Sequence, residues 1–420
     1  PMRSVKHLVV GAGVHGLSTA WHLAEAGEDV LVVEKSGVAA GASGIACGVV
    51  RNNYFQPAMQ DLMAACVEIW ESDPETLAYH GSGYIALGDG DQEADLTAVH
   101  ERQQRIGYDS ELIVGEAAVA AHMRSVFPDW RAPGLTACLH ERQGGFAFNK
   151  DSMYGLARKA RAAGAEIAEG VEVTGFDFDG SGAVTSVHTS AGPIAVEHVT
   201  VAVGPWVARL WELLGLPRRV EVDGVEREMW TYWYLQEGEI EVDPKIFVTA
   251  DGALPPVLHV DSNAPLHDDS GRLITDRQWG IYVKQDKRSV QGGAEPLPKG
   301  HEFHLDPYPT GTVEPGFPDM WCAALSHCMQ RFEGSRPRYR ETRSGGVGAF
   351  TADNFPVFDH MLPNVFVAAD SNHGYKMIAV GREIARVLTG EHSSLLHPFR
   401  YERFATGDLH PVSHSPYPWS

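Results

Sequence analysis

Residues 6 to 35, KHLVVGAGVHGLSTAWHLAEAGEDVLVVEK, constrain the fold more than any other stretch of the chain. Leu8, Val9 and Val10 form a short apolar run suited to a parallel strand buried on both faces. Gly11, Gly13 and Gly16 then spell G-x-G-x-x-G. The first glycine permits a tight turn, the second lets backbone approach a pyrophosphate, and the third lets the following helix pack on the strand. Val14 and His15 sit at the helix start, where unpaired N–H groups can hold phosphate. The helix is predicted to run to Gly27, and DVLVVE supplies a second strand ending in Glu34 beside Lys35. An acid there, roughly twenty residues after the glycines, is placed to accept ribose hydroxyls and disfavours a 2′-phosphate. The pattern predicts a dinucleotide site and leaves FAD and NAD both open.

At 420 residues the chain should hold about two domains. Its net charge of −21 repels nucleic acid and anionic membrane, so any anion site has to be a local cationic pocket. Cys47, Cys66, Cys138, Cys322 and Cys328 are odd in number and scattered, which fits reduced thiols in the cytoplasm better than a disulfide framework. Neither the Cys322, His327, Cys328 cluster nor the His301, Glu302, His304 triplet has metal-site spacing, so no metal is expected. No run reaches the ~18 apolar residues of a membrane span, and no basic segment with an apolar stretch opens the chain.

The next stretch, GVAAGASGIACGVVRNNYF, residues 37 to 55, has side chains small enough for backbone to lie against a flat cofactor. Here the sequence resembles the D-amino-acid oxidase and sarcosine oxidase family of flavoproteins. Within it, the resemblance is greatest to the sarcosine oxidase beta-subunit and dimethylglycine-demethylating branch. The resemblance implies FAD, with Ala42, Ser43, Cys47 and Gly48 in a loop passing the flavin ring and Arg51 entering the substrate site. Three more segments are similar to the family. DSMYGLARKARAAGAEIAEGVEVTGF, residues 151 to 176, would bring Val173 to the adenine, and HVTVAVGPWVARL would place Gly204 and Trp206 beside the cofactor. The third runs from YRETRSGGVGAF to the helix ending at Gly390.

The expected fold is therefore α/β, α+β as a whole, with a discontinuous Rossmann-like FAD-binding domain (1–81, 150–220 and 337–420). Residues 82–149 and 221–336, where EMWTYWYLQ and WGIYVKQ alternate aromatic and β-branched residues, read as a mainly antiparallel substrate domain. Trp230, Trp233 and Tyr234 are candidates to wall a pocket or to pack its core.

SNHGYKMIAVG, residues 371 to 381, sets Lys376 at the start of an apolar, helix-like run. The helix dipole disfavours a cation at that end, so Lys376 is either a solvated lysine or the mark of an anion site. The resemblance implies the second: Arg51 and Lys376 grip a substrate carboxylate, with His373 and Tyr375 beside them as further catalytic residues, while Gly374, Tyr375, Lys376 and Met377 lie along the flavin edge. Monomeric relatives attach flavin through a cysteine where this chain has Gly346, and demethylase relatives use a histidine near Ile45, so noncovalent FAD is expected. The family's oxygen-activating lysine is missing from SVQGGA, with Lys284 and Lys287 nearby, so the acceptor is oxygen or another oxidant. The reaction implied is oxidation of a small secondary or tertiary amine of the N-methyl amino acid type, by hydride transfer to flavin N5 and hydrolysis of the iminium. A D-amino acid, a cyclic imino acid, or a role as the flavin subunit of a larger amine dehydrogenase are the alternatives. The sequence leaves the oligomeric state open.

Overall fold

Strand β1 (Arg3–Val10), helix α1 (Val14–Glu25) and strand β2 (Val30–Glu34) follow one another as the opening motif requires. The structure is a computed structural model that describes residues 2–309, 313–340, 346–370 and 373–418. Residues 344–345 of SGGVGAF and 371–372 of SNHGYK lie outside the described residues. β1 and β2 are parallel, in register from His7 opposite Val30 to Val10 opposite Val33. The helix stops at Glu25, two residues short of the glycine, and the chain reverses through Gly27 at φ +83°. That conformation favours glycine, which is why the glycine marks the reversal and not the last helical residue.

Around this unit runs an eight-stranded mixed sheet. Its spine is Glu166–Glu169, β2, β1, Ile194–Val201 and Val365–Ala369, all parallel, edged by the antiparallel strand Val357–Leu362. Val173–Phe178 and Val184–Thr189 form an antiparallel branch from the start of Ile194–Val201. A second eight-stranded sheet collects Tyr84–Gly88, Ser110–Val114, Ala137–Glu141, Glu237–Glu241, Val257–Ser262, Trp279–Gln285, Ser289–Ala294 and Tyr339–Arg340. Its neighbours are antiparallel except for Val257–Ser262 beside Tyr84–Gly88. The two sheets interleave in sequence more finely than a few cuts describe. Tyr339–Arg340 joins the second sheet through Glu237–Glu241, and Gly346–Phe350 pairs with Thr231–Leu235. Among the described residues no helix is long and apolar enough to cross a membrane.

The apolar run after Lys376 is not helical from its start. Gly374–Lys376 is a single 3-10 turn, Met377 and Ile378 are fully buried beyond it, and the helix proper is Ala379–Leu388. This helix lies against α1, and Ser18 Oγ donates to the Ile378 carbonyl at 2.5 Å. A Cβ on Gly381 would come within 2.3 Å of the Thr19 backbone nitrogen. Helix propensity alone would make Gly381→Ala stabilising by about 1 kcal/mol. Because backbone cannot yield as a side chain can, overpacking should win, and the variant should lose roughly 1–3 kcal/mol in urea unfolding. A gain in stability would show that the two helices can part.

Candidate active site

A cavity of about 800 Å³ opens over the C-terminal ends of β1 and β2. The glycine turn forms its floor. Gly11, at φ +106°, lies so close to the neighbouring strand that a Cβ would sit 2.1 Å from the Ala202 carbonyl. Gly13 and the Val14 N–H face the Ser43 hydroxyl, the latter at 3.2 Å, which ties the small-residue loop to the start of α1. Glu34 lines the rim with its carboxylate oriented by the Ala12 N–H (3.0 Å) and the Ser36 N–H (2.9 Å). Bare backbone at a helix start, with an oriented acid on the next strand, fits the pyrophosphate and ribose of a dinucleotide. Trp206 makes one wall. Lys35 Nζ lies 4.4 Å from its ring centre, and Asp306 accepts from both Lys35 (2.6 Å) and the indole N–H (3.2 Å).

At the other end the cavity meets two cations, Arg51 and Lys376. The Arg51 guanidinium lies over Tyr54 (4.3 Å) and Tyr84 (5.7 Å) and donates to the Asn53 carbonyl. Burial works against its charge, but Tyr54, Tyr84, Glu141 and Asp261 raise its pKa above the ordinary arginine value. Behind it the Glu141 carboxylate is fully buried and accepts from the Asn52 N–H (2.8 Å) and Gln103 (3.1 Å). Lys376 is fixed through its backbone, because Trp70 donates its indole N–H to the Lys376 carbonyl at 2.9 Å. The Tyr375 ring stacks on Trp70 at 5.6 Å and its hydroxyl is bonded to Ser152. Asp370 accepts from His373 Nδ1 (3.0 Å) and faces His15 Nε2 at 3.5 Å. Burial raises the Asp370 carboxyl, but the two histidines outweigh it and hold the group below the usual carboxylate range. This buried cluster fastens the turn carrying Lys376 to the helix that starts at the glycine motif.

Most of the residues singled out from the sequence share this one cavity: Gly11, Gly13, Val14, His15, Glu34, Lys35, Ala42, Ser43, Cys47, Gly48, Arg51, Val173, Gly204, Trp206, Gly374, Tyr375 and Lys376. Four lie off its wall. Gly16 sits under the turn, where a Cβ would be 1.9 Å from the Gly11 carbonyl, and Gly346 abuts the Tyr308 hydroxyl. His373 and Met377 are buried behind the wall, His373 against Asp370. Trp230 and Tyr234 belong to the core against the first sheet, and Tyr232 is the aromatic residue of that strand that reaches the cavity. Sequence reasoning missed Tyr84, Glu237, His259, Tyr282 and the run 303–308, all on the cavity wall. Strand alternation marks such residues as facing one side of a sheet, without telling whether that side is core or cavity.

Comparison with known proteins agrees with this geometry. A family model described as FAD dependent oxidoreductase (DAO) matches residues 6–387. Sarcosine oxidase subunit beta of Arthrobacter sp is 31% identical over 224 residues, 51% of this chain and 55% of that protein, so the match spans about half of the relative's length. Human peroxisomal sarcosine oxidase is 23% identical over 410 residues, covering 94% of this chain and 95% of the relative. Among solved structures, L-proline dehydrogenase from P. horikoshii superimposes with a TM-score of 0.77 at 19% identity, over 97% of this chain and 100% of that one. At that identity the likeness is one of fold.

The support behind Arg51 can be tested by pH. Burial pushes the Glu141 carboxyl up from 4.5 to about 7. The folded chain then holds a proton that the unfolded chain has lost across that window, so this group's contribution to stability falls as pH rises from about 4.5 to 7. Glu141→Gln removes the ionisation, and the Gln103 amide oxygen, which has no partner, can turn to meet the new amide. The stability difference, variant minus wild type, should therefore grow by roughly 1–3 kcal/mol between pH 5 and 8 in thermal or urea unfolding. A difference independent of pH would mean that Glu141 titrates as an ordinary carboxylate.

Proposed function

The chain belongs to the DAO family of FAD-dependent oxidoreductases, and from that premise we propose that it oxidises the C–N bond of a small secondary or tertiary amino acid, an N-methyl amino acid of the sarcosine or dimethylglycine type. One observation carries the reading. In a chain of net charge −21, Arg51 and Lys376, more than three hundred residues apart, face the same cavity as the dinucleotide turn. Two cations kept in a partly dry cleft suit a carboxylate, whose charge they bind more strongly there than in water. Bound FAD supplies the acceptor for the two electrons that leave the substrate.

The chain's own residues bind and orient. Arg51, backed by aromatic rings and by Glu141, offers a planar fork to the carboxylate. Lys376 adds a second positive charge from a turn clamped by Trp70, Ser152 and Asp370. Holding the carboxylate at that end fixes where the amine carbon lies along the cavity, and no side chain needs to act as a nucleophile. Among the described residues Lys35 and Lys376 are the lysines on the wall. Lys284 lies opposite Gln291 of SVQGGA but is buried over Phe146 (4.7 Å), outside the cavity lining. Oxygen and a separate acceptor both fit this arrangement, and the rates of reoxidation by air and by an artificial dye discriminate them.

Two outcomes test the proposal. FAD is held noncovalently, since neither Ile45 nor Gly346 offers an attachment atom. Acid precipitation should leave a colourless pellet and a yellow supernatant, whereas a yellow pellet would point to Cys47, the thiol on the cavity wall. In anaerobic flavin reduction by sarcosine, dimethylglycine or proline, Arg51→Met and Lys376→Met should each weaken substrate binding about thirtyfold or more, roughly 2–5 kcal/mol, with FAD retained. Lys376→Met should also lower the limiting rate, because it removes a positive charge expected to face the reduced cofactor. Wild-type behaviour of both variants at low substrate concentration would sink the carboxylate clamp.

A further inference from the structure

An amine that is to lose hydride from carbon must first be neutral, because the new C=N bond is built from the nitrogen lone pair. Near pH 7 a secondary or tertiary amino acid carries an ammonium of pKa about 10, comparable to lysine, so one proton has to leave before each oxidation. Arg51 and Lys376 are cations and cannot take it, and Glu141 is sealed behind Arg51.

Three other side chains form a line that starts on the cavity wall, joined by one hydrogen bond and one close histidine–carboxylate contact. The Tyr84 hydroxyl lies 3.1 Å from His259 Nδ1, and His259 Nε2 lies 3.0 Å from Asp261 Oδ2. With Nδ1 accepting the Tyr84 hydroxyl, the neutral ring carries its proton on Nε2, the nitrogen that faces the Asp261 carboxylate. Tyr84, 1% exposed, and His259, with its side chain 23% exposed, both line the main cavity, and His259 also lines a second cavity together with Asp261, 20% exposed. The line therefore has a dry end and a wet end. The wet end opens into this second cavity, of about 90 Å³, closed on its far side by Ser413, Ser415 and Tyr417 of the C-terminal segment. That segment is pinned by His414 to Asp95 on the helix Asp91–Ile106 at 2.8 Å.

We propose that Tyr84, His259 and Asp261 form the proton exit of this active site, taking the substrate ammonium proton from the main cavity to the second one. The inference rests on the amine-oxidation reading above. In the step, an N–H bond of the ammonium breaks and its proton joins the Tyr84 oxygen, as the Tyr84 hydroxyl proton passes to His259 Nδ1. His259 becomes an imidazolium paired with Asp261 and gives up a proton to water in the second cavity, and no electrons change hands. Burial raises the Tyr84 phenol well above its ordinary value, so Tyr84 conducts the proton without resting as an anion. The charged and titratable groups facing this line are Arg51 and Tyr54 from the loop after the small-residue stretch, Glu141 opposite Tyr84 on the neighbouring strand, Tyr282 across the sheet, and Asp95 and Tyr417 around the second cavity. Arg51 lines both cavities, whereas Asp261 and Asp95 line the second cavity alone and supply the negative charge at the exit. Glu237, the other acid on this part of the wall, accepts from the Tyr282 hydroxyl at 2.7 Å and serves as the control.

The experiment is anaerobic stopped-flow flavin reduction between pH 6.5 and 10.5 by sarcosine, dimethylglycine and proline, for wild type, His259→Gln, Tyr84→Phe and Glu237→Gln. At pH 7 the His259 and Tyr84 variants should reduce about tenfold or more slowly than wild type. Above the substrate's own pKa, where the amine arrives neutral, both should return to within about twofold of wild type. A merely structural role would slow them equally at every pH, and that result, unchanged profiles, or the same pH signature in Glu237→Gln alone would overturn the proton exit. Should none of the amines bleach wild-type flavin, the amine reading itself falls and the relay with it, which is distinct from bleaching without a relay.

Discussion

The close approach of α1 to its neighbours is the contact on which the rest depends. At Gly16 there is no room for a single methyl group against the Gly11 carbonyl, and at Gly381 none against the backbone of Ser18 and Thr19. These two approaches bring the start of α1, the glycine turn and the segment carrying Lys376 to one place. His15 then reaches Asp370, and Ser18 reaches the Ile378 carbonyl, so polar contacts lock what small residues permit. A phosphate-holding helix start and a lysine that would be disfavoured in isolation become parts of one wall. The cost of crowding positive charge there is offset by the anions the cavity is shaped to receive.

The second sheet has a different task. Its strands bring Tyr84, His259 and Tyr282 in side by side, with Tyr84 and His259 on the parallel pair and Tyr282 directly opposite His259. A rigid sheet places such groups more accurately than loops do. The loop bearing Arg51 rests on this sheet through the Tyr84 ring and is pinned from behind by Glu141 of the strand Ala137–Glu141. The two cations thus come from opposite supports, Lys376 from the first sheet's helices and Arg51 from the second sheet. Their separation is set by how the two halves of the chain pack.

Legibility from sequence followed range of interaction. The opening strand, turn, helix and strand could be read because each element is local and the glycines have one steric purpose each. Arg51 and Lys376 stood out through family resemblance and, for the lysine, through its awkward position before a helix. The exact form of that turn did not, since a 3-10 turn stands there in place of a helix start and His373 is drawn off the wall by its contact with Asp370, neither of which the local pattern records. Residues 303–308 carry no periodicity, yet they close the cavity beside Trp206 through Asp306 and Tyr308. Tyr84, Tyr232 and Tyr282 look like core residues because every alternate strand position does. Which face of a strand meets a cavity depends on partners far away in sequence, and hydrophobic pattern holds no record of them.

Charge is arranged on the same principle of separation. The chain is acidic as a whole, but three acids around the main cavity are already engaged: Glu34 by two backbone amides, Asp306 by Lys35 and Trp206, Asp370 by two histidines. An engaged carboxylate gives structure without competing for the cations that a substrate carboxylate needs. Asp261 is engaged as well, but by a histidine whose other nitrogen faces a tyrosine on the cavity wall. That difference separates an acid that fixes a loop from one that can receive a proton's charge at a distance. On the proposed reading, the site keeps Arg51 and Lys376 for a carboxylate and still provides an outlet for the proton on the amine.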